Sequence, residues 1–376
     1  MEATVETTAR RIGGGQQGQF VDPPQPVVPP TLSLPLINEP AQANPPAETM
    51  SVGALEYLIG TWTNQNIGAS GRGGPENPFS YNLMTLPQSP TADPSDPTQS
   101  PFGYILKSMS YYEEITFSAI HGTAANRGGT GSQISHALLY EQRVYISDGP
   151  AKDMLVHFEN GIWGFLTPAA QELGPYGDGD GDGDGEAAGL QTFGTVPPEL
   201  PYNIFKQISV PHGNSVLACG TVGASPVQQG APMIGPPPQV LPAGSIDTGV
   251  YTRQSVQNLN PVYAQNPNQP LMDALVVSLP IKQFVQLDVN SDQGGGAVAN
   301  INYEQERADV TQYYATYWIE DTGNGQFDQL QYSQTIMLKI PIVLKPGDAP
   351  TEITFPHITT NTLTKVPGSG VLVGKN

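Results

Sequence analysis

The sequence predicts an all-β protein, folded as one antiparallel up-and-down barrel with long Gly/Pro-rich loops. Three observations predict it. From Leu55 onward, short apolar runs of period two alternate with turn residues, and almost no stretch shows helical periodicity. The 376 residues include 38 prolines and 42 glycines, so much of the chain lies outside regular elements. In the best-defined strands both faces are partly apolar, as in a wall between a filled interior and a covered exterior.

Residues 1–50 are rich in Pro, Gly, Gln and Ala, with prolines crowded from Pro23 to Pro46, and are expected as an extended or disordered arm. A stretch such as Leu32 to Ile37 could wrap the barrel or a neighbouring subunit, which makes the arm a route to a homo-oligomer. Residues 51–376 are expected as a single domain. Tyr111 to His121 alternates, placing Ile115, Phe117, Ala119 and His121 on one side. Met154 to Thr167 is expected as a hairpin turning at Asn160-Gly161, a pair suited to the positive φ angles of a type I′ turn. That turn would put Val156, Phe158, Trp163 and Phe165 on one face, and Leu155, His157, Glu159, Ile162 and Leu166 on the other.

A second hairpin is expected over Ile204 to Gly220, turning at Gly213-Asn214, with His212 opposite Ser215 and Ile208, Val210, Leu217 and Cys219 on one face. Further strands are expected at Leu275 to Leu287, Ala297 to Tyr303, Tyr313 to Glu320 and Gln329 to Leu344. Pro341 marks an edge or bulge in the last of these. Insertions near 68–100, 174–201 and 222–249 carry Gly, Pro or Asp and are expected as loops around the barrel.

Composition narrows the function. A formal charge of −19 would repel a polyanion, so nucleic acid is not the expected partner. A single cysteine, Cys219, removes intrachain disulfides, thiolate zinc sites and cysteine-ligated iron-sulfur clusters. No apolar stretch approaches the ~20 residues of a membrane helix, and the N-terminus lacks the apolar core of a secretory signal. A soluble, cytoplasmic protein is therefore the expectation.

No Gly-x-Ser-x-Gly step, His-Glu-x-x-His or phosphate-loop pattern is present, and Gly128 to Gly131 is expected as a flexible connection. Asp180, Asp182 and Asp184 match the first half of a calcium loop. The twelfth position would be Gln191 instead of a bidentate Glu, which favours a flexible acidic loop over a calcium site. The informative residues are the five histidines, His121, His136, His157, His212 and His357.

Four segments, in order, resemble the nitrobindin family. Leu55 to Thr63 (LEYLIGTWT) is similar to its opening strand, a leucine-rich lead into Gly-x-Trp. Tyr112 to Phe117 (YEEITF) with His121-Gly122 resembles its Glu-Glu-x-x-Phe strand, and His157 to Gly161 (HFENG) its His-x-Glu-x-Gly segment. Leu330 to Thr335, Pro356-His357 and Leu363 to Lys365 resemble the C-terminal segment carrying the proximal haem ligand. The resemblance implies a ten-stranded antiparallel barrel holding haem b in its mouth, and chemistry on nitric oxide or peroxynitrite. The chain departs from the pattern in its greater length and in Asn64 to Gly74, which replaces the usual Gly-x-Gly.

On that basis His357 is the expected iron ligand and His121 the expected distal acid–base residue. Trp62, Phe117 and Phe355 are expected against the haem, with Arg127, or Arg72, near its propionates. The residues agree: imidazole is a good iron ligand, and His357 lies between Phe355, Pro356 and Ile358, an apolar setting. His212 is a rival to His121, although a turn-stabilising role also accounts for it; His157 is expected to be structural. The implied activity is peroxidase-like or peroxynitrite-isomerase-like, with a small oxidant or nitric oxide as partner. Two other functions fit the same composition: a metal-free, lipocalin-like carrier of a hydrophobic molecule, and an assembly component.

Overall fold

A computed structural model describes residues 52–65, 80–90, 102–109, 111–120, 124–125, 133–147, 149–168, 202–244, 246–247, 249, 251, 261–277 and 280–369. A 3-10 turn, Gly53–Leu58, leads into β1 (Gly60–Thr63), β2 (Tyr81–Pro87), β3 (Tyr104–Lys107) and β4 (Tyr111–Ala119). Next come β5 (Ala124–Ala125), β6 (Gln133–Ile146), β7 (Leu155–Pro168), β8 (Ile204–Val210), β9 (Asn214–Gly220) and β10 (Val227–Gln229). Two short helices, α1 (Pro261–Gln265) and α2 (Gln269–Val277), precede β11 (Gln283–Asn290) and β12 (Ala297–Asn300). Helix α3 (Asn302–Gln305) and the long strands β13 (Asp309–Asp321), β14 (Phe327–Ile342) and β15 (Thr351–Lys365) complete the described chain.

Ten strands close into an antiparallel barrel in the order β1-β4-β6-β7-β8-β9-β11-β13-β14-β15, and β15 returns to β1 through Trp62↔Lys365 and Thr63↔Thr364. Closure leaves no free edge around the ring. The thinnest seam is β9–β11, joined at Asn290↔Cys219, and β12 covers the rest of β9 through four further pairs. Gly220 allows this seam, because a Cβ there would overlap the Asp288 carbonyl.

One end of the interior is packed by Leu55 and Leu58 from the 3-10 turn together with Trp62, Phe117, Leu138 and Trp163. The long ends of β14 and β15 run past the barrel, and β15 pairs with β2, which pairs with β3. A second cluster forms there from Tyr81, Leu83, Tyr104, Tyr251, Ile353 and Phe355. Helix α2 covers part of the outer wall: the Gln331 amide donates to the Leu271 carbonyl (3.0 Å), and Ser333 donates to Asn268 (2.6 Å).

Several expectations are corrected. Asn160-Gly161 is no turn; Leu155–Pro168 is one continuous strand, paired on its flanks with β6 and β8. The glycine serves close packing, since a Cβ at Gly161 would overlap the Gln207 carbonyl oxygen of β8. His157, Glu159 and Trp163 consequently belong to the interior, while Phe158 is exposed. The second hairpin exists with a shifted register. Its turn covers Pro211, His212 and Gly213 (φ +109°), so Ile208 pairs with Val216 and shares its side with Ala218 instead of Leu217 and Cys219.

Leu275 to Val277 is helical, not strand, and Asn302 and Tyr303 open α3. The expected loop near 68–100 contains β2. Pro341 occupies an edge as expected, because β13 stops pairing at Asp309↔Lys339 while β14 continues against β15. The N-terminal arm and the segment 174–201 lie outside the described residues.

Gly161→Val should lower stability by ~1–3 kcal/mol or more through this overpacking. Gly223→Ala, where a Cβ meets nothing, should leave it nearly unchanged. Urea unfolding midpoints of the two variants check this contrast.

Candidate functional site

Inside the barrel, strands that alternate inward and outward place charged side chains where apolar ones are the rule. Lys206 lies between Ile204 and Ile208 on the inward face of β8 and has no exposed surface. Its ammonium donates to Glu159 Oε1 (3.3 Å) and to the phenol oxygens of Tyr313 (2.9 Å) and Tyr317 (3.1 Å). Its three protons thus meet three acceptors. The Tyr313 hydroxyl donates onward to Gln334 (2.7 Å), and Tyr140 donates to Glu159 (3.0 Å).

Burial acts to raise the Glu159 pKa, but Lys206, the His157 contact and the Tyr140 bond outweigh it and bring it to about 2. Burial likewise opposes the Lys206 charge, and its partners raise that pKa well above the ordinary lysine value.

A second buried carboxyl, Glu113 on β4, accepts from Tyr332 (2.9 Å), Asn361 (2.8 Å) and Gln142 (2.7 Å). No cation neutralises it among these contacts. Burial therefore pushes its pKa up to about 7, against the lowering effect of the three hydrogen bonds.

Beyond this polar layer the barrel holds a cavity of about 340 Å³. Met84, Val144, Ile208, Val216, Val310 and Ile336 give it apolar walls, and Tyr111, Gln142, Glu159, Tyr313 and Gln334 bring the polar layer to its surface. Three imidazoles face it, from His157, His212 and His357. A bulge in β7 helps to aim the first: Val144 pairs with His157 and Tyr145 with Leu155, so both Val156 and His157 reach the cavity. His157 Nε2 lies 3.4 Å from Glu159 Oε2, and its ring centre is 6.2 Å from that of His212 at the β8–β9 turn.

His357 pairs with Ile336 across β14 and lies where the cavity meets an outer groove of about 690 Å³; Met84, Ala308, Leu338 and His357 line both spaces. Among the described residues, no hydrogen bond or ion pair engages its ring. Burial lowers its pKa to about 4, with His157 adding to the effect, so the imidazole is neutral at pH 7. It is thus an available nitrogen donor at the wall of a largely apolar space.

Of the other expected site residues, Trp62 packs in the main core, donates to the Leu58 carbonyl (2.7 Å) and lies under the Lys365 ammonium. Phe117 packs beside Tyr140 in the same core, and Phe355 against Tyr104 in the second cluster. None of the three lines the cavity. His121, Arg127 and Arg72 lie outside the described residues, as do Asp180, Asp182 and Asp184. His136 contacts Thr167 (3.3 Å) on the neighbouring strand β7. The sequence reading did not single out Lys206, Glu113 or the interior tyrosines.

No family model and no curated protein matches this chain. No helix among the described residues is long and apolar enough to cross a membrane.

The two displaced pKa values oppose each other in their effect on stability. Glu113 in the native state keeps a proton that the unfolded chain releases, so its contribution falls as pH rises from 4.5 to about 7. His357 stays neutral where the unfolded chain takes up a proton, so its contribution falls as pH drops from 6.5 to about 4. Each slope approaches ~1.4 kcal/mol per pH unit at most. Glu113→Gln should make unfolding midpoints fall on acidification through the His357 window. His357→Phe should make them rise on acidification from pH 7 to 4.5, while the unsubstituted protein shows the flatter profile between them.

Proposed function

We propose that the cavity and its outer groove take haem b, which His357 would hold through its iron, and that the loaded protein reacts with small oxidants or nitric oxide. The observation that carries this reading is a neutral imidazole, unengaged among the described residues, at the junction of two spaces with apolar walls. Among the described residues no group of three His, Cys, Asp or Glu side chains could hold a metal ion. Iron at His357 would therefore take its remaining ligands from a macrocycle.

Haem would supply a redox-active iron with a coordination position for a small ligand. The chain's own residues supply the rest. Met84 and Leu338, which line both spaces, offer apolar contact at the junction, and Arg307, stacked 4.4 Å from the Tyr303 ring, offers a cation at the groove for a carboxylate. His157 and Tyr313 face the cavity with polar groups that can orient a small ligand, a part expected of His121 from the sequence. The arrangement fits a peroxidase-like and a peroxynitrite-isomerase-like reaction alike, and direct comparison of the two turnovers decides between them. The cytoplasmic setting inferred from the sequence belongs to the same proposal.

Protein titrated with haem should develop a Soret band at one equivalent, and His357→Ala should shift or abolish it. An unchanged spectrum in that variant would refute His357 as the ligand. Native mass spectrometry of the purified protein showing a different hydrophobic mass, with no haem uptake, would support the metal-free carrier instead.

A further inference from the structure

The barrel interior gathers several oxidisable rings, Tyr140, Trp163, Tyr313, Tyr317 and Tyr332 among them, and their phenols differ in what they donate to. Tyr313 reaches the cavity wall and bonds Lys206, which also bonds Tyr317. Tyr317 stacks on Tyr332 with ring centres 5.4 Å apart and planes 19° apart, and Trp163 meets Tyr317 edge-on at 5.1 Å. The rings thus lead from the cavity surface to Tyr332.

Losing an electron from a phenol at moderate potential requires that its proton leave with it. Tyr111 donates to the Thr360 carbonyl and Tyr313 to the Gln334 amide, neither of which is a base. Tyr140 donates to Glu159, but that carboxylate is already held as an anion by Lys206 and accepts protons poorly. Lys206 also lies 4.9 to 5.4 Å from the rings of Tyr140, Tyr313 and Tyr317, where its charge disfavours a developing positive hole. Tyr332 alone among these donates to a carboxyl without a cation on it, Glu113, at 2.9 Å. The pKa of Glu113, near 7, makes that carboxyl a competent proton acceptor.

We infer that Tyr332 is a redox-active tyrosine, paired with Glu113 as its proton acceptor, which collects oxidising equivalents arriving at the cavity. The co-reactant is a one-electron radical oxidant. One electron passes from Tyr332 to that oxidant, which is reduced by one electron. The phenolic O–H bond breaks as its proton joins a Glu113 carboxylate oxygen, leaving a neutral phenoxyl radical beside a neutral carboxylic acid. The pair would give the barrel a protected store for one oxidising equivalent, away from the cavity surface.

The test needs no haem, so it stands or falls apart from the proposed function. Azide radicals generated by pulse radiolysis would oxidise the full chain at pH 8, and transient absorption and freeze-quench electron paramagnetic resonance would follow the tyrosyl radical. A long-lived phenoxyl component should appear and be lost in Tyr332→Phe. In Glu113→Gln, which keeps the side chain's shape but not its basicity, its yield should fall. Circular dichroism of both variants establishes that they are folded, and Tyr314→Phe, on the barrel's outer surface, should retain the signal. An equal yield and lifetime in Tyr332→Phe, or a long-lived radical unaffected by Glu113→Gln, would overturn the inference.

Discussion

The ion pair between Lys206 and Glu159 is the constraint around which the barrel interior is arranged. A ten-stranded ring is too wide to be filled by its own apolar side chains alone, and here a polar layer fills its middle. An ammonium with no exposed surface is tolerable only if every proton is accepted, and Glu159, Tyr313 and Tyr317 do so. Removing one partner of such a pair typically costs about 3–5 kcal/mol, because the other charge stays buried and unmatched. The pair also fixes rotamers around it: Tyr140 and His157 contact the same carboxylate, and Tyr313 donates a hydrogen bond to Gln334. Specificity of arrangement, more than net stability, is what such a network contributes.

That layer divides the interior into two unlike ends. Toward the 3-10 turn the space is packed by Trp62, Trp163, Phe117 and Leu55. Toward the other end it stays open, with apolar walls, a polar inner surface and His357 on β15. The length of β14 and β15 matters here: they extend beyond the ring, and β15 carries β2 alongside, which adds Met84 and the outer groove to the site. Glu113, on the same layer but without a cation, retains proton-accepting capacity that Glu159 has lost. Two carboxyls of one interior are thereby set apart by what each touches.

Much of the wall was legible in the sequence. Alternation identified β4, β13 and β14, and Pro341 marked where β14 loses one neighbour. The misread turn at Asn160-Gly161 shows the limit of a local signal: the dipeptide suits a turn, but here Gly161 is needed for the close approach of Gln207, a residue distant in sequence. The same error hid the inward direction of Glu159.

The polar layer nevertheless leaves a trace. In Ile204 to Val210 the lysine shares its phase with Ile204 and Ile208, and in Tyr111 to Ala119 Glu113 shares its phase with Ile115 and Phe117. A charged residue in phase with an apolar face announces a buried partner, and only the tertiary fold says which one. His357 lines the cavity wall, while Phe355, two residues before it, packs in a different cluster.

The central claim is that the open end of this barrel presents His357 to a haem iron. A crystal structure of the haem-treated protein, with anomalous scattering recorded at the iron edge, tests it most directly. The account predicts one iron peak in bonding contact with a ring nitrogen of His357, and a macrocycle extending from the cavity into the outer groove. An iron peak bound to another residue, or a haem lodged away from the cavity, would contradict it.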